Sequence, residues 1–90
     1  MKGYIIKGKY INSGREFFLD KDGYVVINYE DLRGHECYAT ARAAKMVATK
    51  RTKASIEQNE YNEDRNARRI AKGLEPLFHD GVCIYEAFEV

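Results

Sequence analysis

The chain has 90 residues, of which 44% are apolar and 32% charged, and its formal net charge is +1. That length fits one domain over residues 1–90 and leaves no room for two. The near-zero net charge excludes a global field that would steer the protein onto nucleic acid or an anionic membrane, so any such role needs local segregation of charge. Seven Tyr and four Phe, with many Val and Ile, argue against disorder of the whole chain. A chain this short still has a thin core, because it buries only about 60–65% of its unfolded surface.

Residues 3–11 (GYIIKGKYI) and 16–20 (EFFLD) are rich in β-branched and aromatic residues and are separated by Asn12-Ser13-Gly14-Arg15, a hairpin signal. A third run, 24–29 (YVVINY), follows Lys21-Asp22-Gly23, in which Asp22-Gly23 suits a tight turn. The reading is a three-stranded antiparallel meander over 3–29. Residues 30–38 (EDLRGHECY) are ambiguous, with a turn expected at Gly34.

From Ala41 the chain runs over 30 residues without Pro or Gly and is dominated by Ala, Arg, Lys, Glu and Gln, all good helix formers. Thr40 is placed to N-cap this stretch, and Gly73 with Pro76 to end it. The expectation is one long helix, or a helical hairpin broken near Asn59–Asn62, within 41–73. Ala43, Ala44, Val47 and Ala48 form an apolar stripe, as do Ala67, Ile70, Ala71 and Leu74. Between Thr49 and Asn66 only Ala54, Ile56 and Tyr61 are apolar, so the middle reads as too polar for the core. After the turn at His79-Asp80-Gly81, residues 82–90 (VCIYEAFEV) read as the last strand. Its two faces carry Val82, Ile84, Glu86, Phe88 and Val90 on one side, and Cys83, Tyr85, Ala87 and Glu89 on the other. The fold class expected is therefore α+β: an antiparallel sheet of three to four strands with one long helix or a helical hairpin.

Cys37 and Cys83 are too few for a disulfide scaffold. Lys7 and Lys9 come too early for a signal peptide that would begin at Met1 and Lys2, and no apolar run approaches the roughly 18 residues of a membrane span. The expectation is a soluble, cytoplasmic protein with no membrane partner. His35, Cys37, His79 and Cys83 supply four ligands of the kind zinc accepts, but their spacing matches no strong zinc pattern, and both thiols serve equally as small buried hydrophobes. No metal or other cofactor is expected. His79-Asp80 sits in a turn, and phosphate-cradling or nucleophile-elbow motifs are absent from the sequence, so no enzymatic activity is expected.

Charge along the helical stretch is segregated. Arg42, Lys45, Lys50, Arg51 and Lys53 come without an acid, Glu57, Glu60, Glu63 and Asp64 follow, and Arg65, Arg68, Arg69 and Lys72 close it. A solvated helix with i, i+4 pairs such as Lys53–Glu57 and Asp64–Arg68 accounts for such a run structurally. The functional reading is a binding surface made of Lys50, Arg51, Lys53, Tyr61, Arg65, Arg68 and Arg69. The tyrosines exceed what a small core needs and favour half-wet interfaces.

The order of elements resembles short accessory proteins encoded by bacteriophages. The residues that carry the resemblance are Tyr4-Ile5-Ile6-Lys7 at the opening strand, Tyr38-Ala39-Thr40 before Ala43-Ala44, and the closing Glu89-Val90. That resemblance implies a non-enzymatic inhibitor or modulator of a host protein, such as a defence component, located in the host cytoplasm. The alternative is a nucleic-acid- or nucleotide-binding protein that uses the same basic residues. Self-association is expected, because a sheet with one helix leaves apolar area uncovered.

Overall fold

The computed structural model describes residues 3–32 and 34–90. Met1 and Lys2, at the start of the segment weighed as a leader, and Arg33, within the ambiguous stretch 30–38, lie outside the described residues. The elements in chain order are β1 (Tyr4–Tyr10), β2 (Glu16–Leu19), β3 (Val25–Val26), a 3-10 turn (Tyr29–Leu32), α1 (Ala41–Ala71) and β4 (Cys83–Glu89). The strands form one antiparallel sheet in the order β3-β2-β1-β4. The α+β arrangement is as expected, and the last strand pairs with the first.

Alternation along the strands divides the apolar residues between two faces. Ile6 lies opposite Leu19 and Ala87, and Gly8 opposite Phe17 and Tyr85. On that face Ile6, Phe17, Leu19 and Cys83 are buried with Ala44 and Ala48 of α1. The opposite face buries Ile5, Phe18 and Val26 with Leu32 of the 3-10 turn, and Cys37, Phe88 and Val90 pack at its edge. Gly8 is required by a close approach: the Phe17 ring lies over it, and a Cβ there would stand 2.6 Å from the ring. Tyr10 and Tyr85 complete this cluster, with ring centroids 5.6 and 6.0 Å from that of Phe17.

Helix α1 is continuous over 31 residues, so the hairpin alternative is not adopted. At about 1.5 Å per residue it is about 46 Å long, most of the molecule's longest dimension of 55 Å. The Thr40 hydroxyl accepts from the Ala43 N–H at 3.2 Å, the cap expected. The helix ends in a Schellman arrangement: Gly73 has φ +79, its N–H donates to Ile70 O, and the Leu74 N–H donates to Arg69 O. Asn59 and Asn62 do not break the helix, because each joins an i, i+4 side-chain bond, Asn59 with Glu63 and Gln58 with Asn62.

The third strand is shorter than the expected 24–29. Only Val25 and Val26 pair with β2. The chain then leaves the sheet because Asn28 closes a local turn, its O accepting from the Asp31 N–H and its side chain donating to Asp31 Oδ2. Tyr29 to Leu32 wind into the 3-10 turn that carries Leu32 under the sheet.

Candidate functional site

The inner stripe of α1 changes chemistry along its length. At about 100° per residue, Ala44, Ala48, Ser55, Asn59, Asn62 and Asn66 lie on one side of the helix, with Thr52 beside them. The first two pack on the sheet, whereas Thr52, Ser55 and Asn66 bind backbone groups, and Asn59 and Asn62 bond side chains of the helix itself. β4 is an edge strand, and its outward N–H groups are capped by the helix: Cys83 N donates to Ser55 Oγ at 2.6 Å, and Tyr85 N donates to Thr52 Oγ1 at 2.9 Å. Further along, Asn66 donates to Leu77 O and accepts from Leu77 N, both at 2.9 Å, as another strand would. Arg69 Nε donates to Glu75 O at 2.8 Å. The middle of the helix is polar because Thr52, Ser55 and Asn66 bind the edges of extended chain: too polar for the apolar core, it nevertheless packs within its own subunit.

The opposite side of α1 faces water. Met46, Lys50, Lys53, Glu57, Tyr61, Asp64 and Arg68 share it and are all exposed. Of the binding residues expected from the sequence, Lys50, Lys53, Tyr61 and Arg68 therefore lie on one face. Arg51, Arg65 and Arg69 do not. Arg51 lines a cleft on the sheet side, Arg69 holds the returning segment, and Arg65 is half-buried with its Nε sequestered and unpaired among the described residues. The pairs Lys53–Glu57 and Asp64–Arg68 are not among the ion pairs of the described residues, which lie at Lys7–Glu16, Lys9–Glu16, Arg15–Asp80 and His35–Asp20. The tyrosines divide as well. Tyr24, Tyr29 and Tyr61 are exposed, whereas Tyr4, Tyr10, Tyr38 and Tyr85 pack against the helix-side core.

The cleft that Arg51 lines has a volume of about 550 Å³ and lies between the middle of α1 and the start of β4. Ser55, Asn59, Asp80, Tyr10 and Tyr85 share its walls. Burial, then a hydrogen bond with Cys83, pushes the Tyr85 phenol up to about 12. Burial, then the nearby Cys83 and Asp80, raises Tyr10 as well. Both phenols therefore stay protonated near neutral pH and keep an O–H to donate. Burial likewise raises the Cys83 thiol, which sits in the core as a small hydrophobe.

The four residues weighed for zinc do not gather. Cys83 belongs to the cluster under α1 and Cys37 to the cluster on the opposite face of the sheet. His79 Nδ1 accepts from Gly81 N at 3.2 Å, and His35 Nδ1 lies 2.7 Å from Asp20 Oδ2. No group of three potential ligands stands together among the described residues. The Asp20–His35 pair was not read from the sequence. Asp20 is buried, and its Oδ1 accepts from Tyr24 N across the β2–β3 turn. Burial works to raise its carboxyl, but the hydrogen bonds from His35 and from the Tyr24 and Asp22 amides outweigh it and hold Asp20 below its ordinary value. Among the described residues no helix is long and apolar enough to cross a membrane. No family model, curated protein or solved structure matches the chain.

Proposed function

We propose that this is a non-enzymatic binding protein that engages another protein through the outward face of α1. The observation that carries the reading is the composition of that face. Met46 and Tyr61 are each 59% exposed, and between and around them stand a basic band (Lys50, Lys53) and an acidic band (Glu57, Glu60, Asp64). A helix spends its outer face on such a pattern most usefully where a partner carries the complementary bands, because alternating charge fixes register and rejects wrong partners. The acidic band also argues against nucleic acid as the partner, since it lies on the same face as Lys50 and Lys53 and repels phosphate. An inhibitor or modulator of a host protein, the role implied by the resemblance to bacteriophage accessory proteins, fits such a surface. Self-association belongs to the same reading, because Val25 and Ile27 stand exposed beside Tyr10 and Phe17 on the part of the sheet that α1 leaves uncovered.

Photo-crosslinking in a lysate of the native host tests the reading. A crosslinker at Lys53 or Tyr61 should capture one discrete protein, and Lys50→Glu with Lys53→Glu should abolish the adduct without lowering the melting temperature. Capture from Thr52 or Asn59 instead, or an adduct indifferent to the double substitution, would contradict it.

A further inference from the structure

We propose that the cleft between α1 and the start of β4 binds a planar group with paired N–H donors, the amidine-type edge shared by a guanidinium ion and a guanine base. This site lies on the other side of α1 from the protein-binding face and does not depend on it. Its volume of about 550 Å³ falls in the range of small-ligand sites, about 300–1,000 Å³.

Two walls of the cleft carry the argument. Asn59 Oδ1 and Asp80 Oδ1 are both buried, and neither receives a hydrogen bond from the described residues. The Asn59 amide is oriented by its own donation to Glu63 Oε1 at 3.4 Å, which leaves the oxygen as the free end. Asp80 directs Oδ2 toward the Arg15 guanidinium at 3.8 Å, and its backbone O accepts from Asn12 N, so Oδ1 is the oxygen left over. A buried acceptor without a donor is destabilising, and a ligand that relieves two of them must bring two donors, which a planar edge with paired N–H groups supplies. Tyr10 and Tyr85 add aromatic wall to the same cleft, against which a flat group can lie. Arg51 lines it too, and its positive charge opposes a free cation while favouring a base that carries a phosphate.

The test is titration of the full chain with guanosine monophosphate, agmatine and adenosine monophosphate, followed by calorimetry and by the amide signals of Asn59 and Tyr85. Guanosine monophosphate and agmatine distinguish the two sources of the paired donors, and Arg51 predicts the tighter binding for the nucleotide. Adenosine monophosphate presents a donor beside an acceptor on its edge and should bind at least about tenfold more weakly than guanosine monophosphate. Asp80→Asn should weaken guanosine monophosphate by about tenfold or more. Asn59→Asp should tighten agmatine, and Lys53→Glu should change neither. The proposal is overturned if both guanosine monophosphate and agmatine fail to bind at about 10 mM. It is also overturned if adenosine monophosphate binds as well as guanosine monophosphate, or if Asp80→Asn and Asn59→Asp both leave the affinities unchanged.

Discussion

The Ser55 hydroxyl accepts a 2.6 Å hydrogen bond from the backbone N–H of Cys83, and one turn earlier on the same helix Thr52 does the same for Tyr85 at 2.9 Å. An edge strand normally presents its outer N–H groups as a template for another chain. Here the protein's own helix occupies that edge, so β4 is blunted at Cys83 and Tyr85 by side chains. Removing either hydroxyl strands a half-buried amide donor. Ser55→Ala and Thr52→Val should each cost about 1–3 kcal/mol of stability, read by urea denaturation, whereas Lys53→Ala on the exposed face should stay within about 0.5 kcal/mol.

The returning segment hangs on the Asn66 side chain, which bonds Leu77 in both directions. Asn66→Leu keeps the size and removes both bonds. The amide of Leu77 should then exchange at least about tenfold faster, because the segment loses two bonds of roughly 1 kcal/mol each. An unchanged exchange rate at Leu77 would show that something other than Asn66 holds it.

Asp20 gives the protein an acid-sensitive joint between the β2–β3 turn and the loop before α1. Its carboxyl is held below the ordinary value in the folded chain. The stabilisation is therefore complete above the unfolded value of about 3.9 and is lost as pH falls through the lower folded value. Asp20→Asn should flatten the acid limb of the stability profile in that window. His35→Ala removes the bond that lowers Asp20 most, and the acid midpoint should move upward. Asp20→Ala, which leaves Tyr24 N and His35 without their acceptor, should cost about 1–3 kcal/mol at neutral pH.

Gly8 sits beneath the Phe17 ring, and a methyl group there would stand 2.6 Å from it. The ring stands between Tyr10 and Tyr85, which limit its movement away from Gly8. Gly8→Ala should destabilise by about 1–3 kcal/mol through overpacking, and Gly8→Ala with Phe17→Leu should recover part of that loss in a double-mutant cycle.

The strands, the two faces of β4, the Thr40 cap and the Gly73 stop could be read in the sequence because each has a local signature. The polar part of the inner stripe of α1 could not be read by hydrophobic periodicity, since Thr52, Ser55 and Asn66 face backbone groups there. A different signal was present: Thr52, Ser55, Asn59, Asn62 and Asn66 recur at helical spacing. Such residues are poor in a helix interior unless they have something to bind. The same spacing separates Lys50 and Lys53 from Arg51 and Arg69, which the run of charges alone had merged into one surface. The cleft and the Asp20–His35 pair depend on contacts between residues far apart in the chain, and no local pattern announces them.

Both proposed binding surfaces require α1 to be fixed along its whole length by that polar stripe. Native-state hydrogen exchange across α1 at rising denaturant measures this directly. Amides from Ala48 to Arg69 should lose protection together, with the amide of Cys83 among them. Exchange at unprotected rates from Glu57 onward, with Ala44 and Ala48 still protected, would contradict it.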